Sequence, residues 1–311
     1  MSVLAFADAD CLRVEQAGGK GASLARMASL GLPVPPGFVV PAGALSQALP
    51  DGGAGVREVL AAAAPDGLAE AARRCQDAVA SCDAGAALGT AVQREYARLA
   101  DDLGDADPPV AVRSSACAED SEAASFAGQQ ETYLHVRGAD SVIDHVRHCW
   151  GSFFSERALF YRRQKGSLDD LGMAVVVQRM VQADVAGVLF TMDAVQGRRD
   201  RMVVEAVFGL GEAVVSGNVT PDHYVLKRDG RVRRQKIVRQ PFAVVARPEG
   251  GVQERELSPE EGERPTLDED QLRELARVGA DLEDRLGRPQ DIEWALQDGR
   301  LYVLQARPVT T

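Results

Sequence analysis

The chain has 311 residues, of which 45% are hydrophobic, 26% charged and 5% aromatic, a balance expected of a globular protein with room for about two domains. Lys plus Arg number 35 against 46 Asp plus Glu, a formal charge of −11, which repels phosphate backbones and argues against nucleic acid as a partner. Collagen-like, fibrous and mostly disordered chains are excluded by the same figures.

The first ten residues carry Asp8 and Asp10 and no basic start, so a signal peptide is not expected. Residues 20–30 read as a short helix opened by glycines and closed by Gly31, followed by the Pro-rich turn Leu32–Gly37 and a short buried strand at Phe38–Val40. From about 56 to 103 the sequence is Ala-rich and helical, broken at Pro65–Gly67 and Asp83–Gly85. Pro109–Val112 reads as a strand entering a polar loop, and Ser141–Gln164 as one long helix.

The character then changes. Met173–Val181, Val185–Met192 and Met202–Val207 are apolar, β-branched runs bounded by Gly and Asp and read as strands, with a further pair at 224–227 and 232–238 around Asp229–Gly230. Pro248–Pro265 reads as a hydrophilic loop. Asp268 caps an amphipathic helix carrying Leu272, Leu275, Val278 and Leu282 and closing near Gly287. The last element is a hairpin. Segregated helical and strand-rich parts imply an α+β chain of two lobes, 1–182 and 183–311.

No run approaches the ~18 apolar residues a membrane span needs, since 173–190 is cut by Gln178, Arg179, Gln182 and Asp184. The five cysteines are scattered without a C-x-x-C pair, and the four histidines lack zinc-ligand spacing. Reduced thiols in a cytoplasmic protein are expected, with neither a disulfide framework nor zinc.

In the terminal hairpin Asp298–Gly299 marks the turn. A three-residue loop with Gly in the left-handed position makes facing residues share parity. The even face is then Ile292, Trp294, Leu296, Tyr302, Leu304 and Ala306, and the odd face gathers Asp291, Glu293, Gln305 and Arg307 beside Leu301 and Val303. Carboxylate and amide oxygens are hard ligands of the kind Mg²⁺ accepts, and Arg suits a phosphoryl group. A half-exposed strand pair with a solvated face would show the same pattern.

Gly18-Gly-Lys-Gly-Ala-Ser23 frees backbone N–H groups beside a lysine at a helix start, an arrangement suited to an anion but without P-loop spacing. A plain glycine turn fits equally. Arg113 ends a buried strand, where a charge needs a partner or a ligand. Ser125–Thr132 reads as a flap over phosphates or as a surface loop, and Phe208–Glu212 with Ser216–Pro221 carries the same ambiguity.

In combination these motifs say more. Gly-Gly-Lys near residue 20, Ala-Val-Arg-Ser-Ser with Ser-Phe-Ala-Gly-Gln at 111–129, Phe-Gly-Leu-Gly-Glu, and Asp-Ile-Glu-Trp with Leu-Gln-Ala-Arg-Pro occur in one order. The chain strongly resembles the N-terminal ATP-binding domain of the phosphoenolpyruvate synthase, pyruvate phosphate dikinase and rifampin phosphotransferase family. The resemblance covers nearly the whole chain and is weakest over 45–105. It implies an ATP-grasp fold with ATP held between two lobes. It also implies that Lys20 and Arg113 contact the phosphates, with Gly128 and Thr132 in the closing loop and Gln178 at the adenine edge. Glu293 and Gln305 would ligate Mg²⁺, and Arg307 would stabilise the transferring phosphoryl group.

Full-length members of that family also carry a substrate domain and a mobile domain whose phosphorylated His sits in a Gly-Gly-x-x-Ser/Thr-His setting. None of His135, His145, His148 and His223 has that setting, and the sequence stops four residues after Arg307. The resemblance therefore implies the ATP half of a split phosphotransferase, similar to the separate ATP-binding subunit of phenylphosphate synthase. It would serve a histidine-domain and substrate-domain partner. A free-standing kinase or ligase, and a nucleotide-binding regulatory module, are the other readings.

Overall fold

The computed structural model describes residues 2–82, 85–117, 131–164, 168, 170–215 and 217–309. The chain divides into two compact units, Met1–Arg26 with Pro36–Met180, and Met27–Pro35 with Val181–Thr311. Both mix helix and antiparallel sheet, as the α+β reading expects.

The first unit contains β1 (Leu4–Ala5), most of α1 (Val14–Ser29), β2 (Gly37–Val40), α2 (Gly43–Ala48), α3 (Ala54–Ala62), α4 (Leu68–Ser81) and α5 (Gly85–Leu103). It continues with β3 (Val110–Ala116), β4 (Thr132–Val136), α6 (Ala139–Ser152), α7 (Glu156–Gln164) and β5 (Met173–Arg179). The strands form one sheet in the order β1-β2-β5-β3-β4. Side chains alternate across a strand, and here the two faces do different things. Phe38, Val40, Val110, Val112, Val136, Val175 and Val177 join α2 to α7 in one buried core. The other face carries Val39, Ala111, Arg113, Ser115, Val176 and Gln178, aligned by the pairs Val39↔Val176, Ala111↔Gln178 and Arg113↔Val176.

The single helix expected at 141–164 is two. Between α6 and α7 the chain turns so that both Phe153 and Phe154 enter the core. Ser155 restarts the helix by accepting a hydrogen bond from the Ala158 N–H at 3.3 Å. Arg162 is buried over the Phe153 ring, 3.8 Å from its centroid, and donates to the carbonyls of Phe153, Leu168 and Asp170. Helical periodicity carries no mark of this break, because an apolar pair fits either path.

The second unit contains β6 (Val185–Phe190), β7 (Arg201–Phe208), α8 (Glu212–Val215), β8 (Asp222–Lys227), β9 (Val232–Lys236), β10 (Phe242–Ala246) and β11 (Val252–Glu256). It ends with α9 (Pro259–Glu263), α10 (Glu269–Leu286), β12 (Gln290–Gln297) and β13 (Arg300–Pro308). Six strands form a sheet in the order β13-β12-β6-β7-β8-β9, and β10 and β11 form a separate hairpin. The stretch read as a hydrophilic loop thus holds β11 and α9. Most β11 side chains are exposed, which removes the alternation that would have revealed it, while α9 opens with a capping box between Ser258 and Glu261.

α10 follows the sequence reading closely: Asp268 accepts from the Gln271 N–H, and Gly287 closes the helix at φ 73°. Its stripe of Leu272, Leu275, Val278 and Leu282 is buried. A Cβ on Gly279 would come within 2.7 Å of Leu189, so α10 lies on the sheet face that Leu189 shares with its partners Ile292 and Val204.

Candidate functional site

In the first unit α1 lies on the sheet face that bears Arg113 and Gln178. Gly18 breaks helical geometry at φ 67°, and a Cβ there would meet the Ser115 carbonyl oxygen at 2.1 Å. Only glycine lets backbone approach backbone so closely. The Ser115 hydroxyl fixes the contact: it donates to the Ala17 carbonyl at 2.9 Å and accepts from the Gly21 N–H at 3.2 Å. Gly21 continues the seam against Val39 and Val176. Lys20 stands between these anchors and is buried, which for a lysine requires compensation. Its ammonium lies within electrostatic reach of Cys149, whose thiol is pushed up to about 12 by burial and by Glu131, against the opposing effect of Lys20.

Arg113 is half-buried on β3 and lies opposite Val176 on one side and Thr132 on the other. Gln178 is buried and opposite Ala111, two residues from Arg113. Arg113, Thr132 and Gln178 therefore share one face of the sheet, the face on which α1, the helix of Lys20, lies. Gly128 lies outside the described residues. Sequence reasoning missed Ser115, although the Ser-Ser pair following Arg113 was the available signal.

His135 is buried on β4, in the left-handed region at φ 56°, where the β3–β4 register shifts. Burial, reinforced by Arg137, holds its imidazole below the usual histidine range. Buried and biased toward neutrality, it has the character of a structural residue. His145 and His148 on α6 are in ring contact with Tyr133 and with each other.

In the second unit β12 and β13 bring Asp291 opposite Arg307 and Glu293 opposite Gln305. The expected polar patch is present, but by a different construction. The loop has two residues, Asp298 and Gly299, both with positive φ (51° and 72°), as a primed hairpin turn requires. Near this turn Trp294 faces Val303 and Ala295 faces Tyr302, and a register shift after Glu293 restores the pairing that the patch needs. The corrected core face is Ile292, Trp294, Leu296, Leu301, Val303 and Ala306, while Tyr302 moves to the side of Glu293 and Leu304 takes up the irregularity. A two-residue turn reverses the parity and the bulge reverses it back.

The patch sets a guanidinium beside two carboxylates and an amide. Arg307 donates from Nε to Asp291 Oδ2 at 2.8 Å, with the arginine half-exposed and the aspartate largely buried. Burial raises the Asp291 carboxyl above its usual range, Arg307 opposes this, and Glu293 adds to it. Asp291 thus holds the guanidinium through its Nε. Glu293 and Gln305 supply one carboxylate and one amide oxygen from directly opposed positions, a donor set that fits Mg²⁺, which keeps waters and phosphate oxygens for its other ligands. No group of three or more His, Cys, Asp or Glu is arranged to hold a metal among the described residues.

The second glycine-rich stretch is structural in its described part. Gly209 has φ 76°, and a Cβ there would meet the Val244 carbonyl oxygen at 2.3 Å. The Phe208 N–H donates to the buried Gln240 side chain at 3.0 Å. Fully buried Asp222 accepts from the N–H of Val238, the N–H and hydroxyl of Thr266, and the Tyr224 hydroxyl. It is a clamp joining three segments. Ser216 lies outside the described residues.

A family model described as "Pyruvate phosphate dikinase, AMP/ATP-binding domain" matches residues 14–311. The chain is 40% identical over 305 residues to a probable phosphoenolpyruvate synthase of Methanocaldococcus jannaschii, covering 96% of this chain and 26% of that protein. It is 40% identical over 319 residues to a probable phosphoenolpyruvate synthase of Archaeoglobus fulgidus, covering 100% of this chain and 42% of that protein. A rifampicin phosphotransferase of Bacillus cereus is 36% identical over 316 residues, covering 99% of this chain and 36% of that protein. The chain thus spans less than half the length of these relatives. No helix among the described residues is long and apolar enough to cross a membrane.

Proposed function

The chain belongs to the pyruvate phosphate dikinase AMP/ATP-binding domain family, and from that premise we propose that it is the ATP-grasp, Mg-ATP-binding component of a phosphotransferase. The β-phosphoryl group of ATP passes to a histidine on a separate partner, giving phosphohistidine, AMP and, with one water consumed, inorganic phosphate. The observation that supports the reading is the family match over residues 14–311, together with the kinds of side chain each unit holds. One offers Lys20 and Arg113, and the other offers Glu293, Gln305 and Arg307.

The chemistry asked of these residues is positioning and charge neutralisation, as in other phosphoryl transfers. Lys20 and Arg113 neutralise the triphosphate, Gly128 and Thr132 close over it, and the Gln178 amide reads the adenine edge. Glu293 and Gln305 hold Mg²⁺, which when bound offsets phosphate charge. Arg307, held by Asp291, meets the charge that develops on the transferring group. The planar fork of Arg matches phosphoryl oxygens better than the point charge of Lys.

The carrier histidine is assigned outside these 311 residues because none of their four histidines has a glycine-rich Ser/Thr-His setting. The relatives' greater length leaves room for such a domain beyond the region matched. The test is incubation with ATP labelled at the β-phosphorus, with and without the isolated histidine domain of a phosphoenolpyruvate synthase. Acid-labile label on the added domain, together with AMP, is expected. Stoichiometric label on this chain that disappears in His135→Ala would overturn the assignment, and transfer to a small acceptor without any partner would favour a free-standing kinase.

A further inference from the structure

The charge of this acidic chain is unevenly spread. Residues 227–239 hold seven cations, Lys227, Arg228, Arg231, Arg233, Arg234, Lys236 and Arg239, against Asp229 alone. Two of the seven are engaged, Arg228 with Glu283 and Arg231 with Asp229. Arg233, Arg234 and Lys236 lie on β9, every residue of which is exposed, and none of these three side chains has an ion-pair partner among the described residues. β9 is also the last strand of its sheet, so its outer backbone edge has no strand partner among the described residues.

The opposite sign is found on β11 of the same unit. Glu254 and Glu256 are exposed on a strand whose only strand partner among the described residues is β10. Glu260 and Glu263 extend the acidic run, while Arg255 pairs with Glu261. Charge is a common means by which an edge strand avoids pairing with its like, and β9 against β9, or β11 against β11, would indeed repel. β9 against β11 would not. Arg234 and Lys236 are two residues apart and so share a strand face, as do Glu254 and Glu256. Facing residues turn their backbone groups the same way in an antiparallel pair and opposite ways in a parallel pair, so one of the two strand directions sets both cations opposite both carboxylates while the two free backbone edges hydrogen-bond.

We propose that β9 of one molecule docks on β11 of a second copy of this chain, by strand addition with matched charges. Each copy carries one basic and one acidic edge, so two copies satisfy each other reciprocally or link head to tail. A five-residue strand pair buries much less than the roughly 1,600 Å² of a standard stable interface, so the association is reversible, and being electrostatic it weakens with salt.

Sedimentation velocity of the whole chain over a concentration series, at low and high salt, tests this. Concentration-dependent association at low salt is expected, weakened on the order of tenfold or more at high salt. The Arg234→Glu/Lys236→Glu variant should be monomeric, and so should Glu254→Lys/Glu256→Lys. Mixing these two variants should restore association, because each then carries the charges the other lacks. All four positions are exposed, so melting temperatures and ATP binding should stay at wild-type values, which keeps this test separate from the nucleotide reading. A wild type that stays monomeric throughout, association untouched by the reversals, or a mixture that stays monomeric would overturn the proposal.

Discussion

The sheet face of the first unit and the hairpin face of the second both present charged groups beside a core, yet they secure them by opposite means. Lys20 and Gln178 are held by close approach: Gly18 has no Cβ, Ser115 bridges two backbone groups, and the helix lies on the strands. Glu293, Gln305 and Arg307 are held by alternation on two paired strands, with one added residue correcting the register. The first face depends on Gly18, Gly21 and one hydroxyl, while the second depends on a repeating pattern. The chemistry also divides. The candidate ligands of the first face are cationic or neutral, whereas the second combines carboxylates with a guanidinium.

The largest effect separating the two faces is expected from Glu293→Ala. It removes the carboxylate of the proposed metal pair, so turnover with any competent acceptor should fall on the order of a hundredfold or more, and the Mg²⁺ dependence of ATP binding should largely vanish. Lys20→Ala should instead weaken ATP binding with or without the metal. Parallel titrations of both variants, with magnesium present and absent, check that contrast.

Arg307→Lys sharpens the account within the second face. If the guanidinium acts on the transferring group, kcat should drop by roughly 10²-fold with little change in ATP affinity. Equal kcat for Lys and Arg would show that a point charge suffices.

The dependence of the first face on Gly18 is testable by stability. Gly18→Ala introduces a Cβ into the Ser115 backbone at a left-handed φ. This glycine-only backbone region (φ 67°, ψ 176°) costs a side-chain-bearing residue about 1–3 kcal/mol and overpacking about 1–3 kcal/mol, so a loss of roughly 2–6 kcal/mol is expected in denaturant unfolding. A change within experimental scatter would mean that α1 is seated differently.

These cases show how far the sequence was legible. The elements marked by caps and periodicity were readable, α10 from Asp268 to Gly287 most clearly. The polar patch on β12 and β13 was readable too, but its construction was not, because a bulge leaves no residue signature and imitates the parity of a longer loop. Nor was the break between α6 and α7, where two phenylalanines choose the core over a continuous helix. Ser115 was passed over because its role depends on contacts with Ala17 and Gly21, nearly a hundred residues away in the chain.

The smallest expected effect concerns pH. Burial raises the Asp291 carboxyl in the folded state, so the native protein binds that proton more tightly than the unfolded chain. The stabilisation this gives is fully present below the usual aspartate range and is lost as pH rises through the raised folded value. Asp291→Asn should remove that segment of the stability profile, and an unchanged slope in chemical denaturation would contradict the burial argument.

The central claim is that the chain binds ATP with Mg²⁺ and that Arg113 and Glu293 both take part. Calorimetric titration of ATP into wild type, Arg113→Ala and Glu293→Ala, each with and without Mg²⁺, tests it most directly. The account predicts a single site in the wild type, tightened by Mg²⁺ and weakened by either substitution. Wild-type binding that is indifferent to Mg²⁺, or binding in the presence of Mg²⁺ that responds to one of the two substitutions alone, would contradict it.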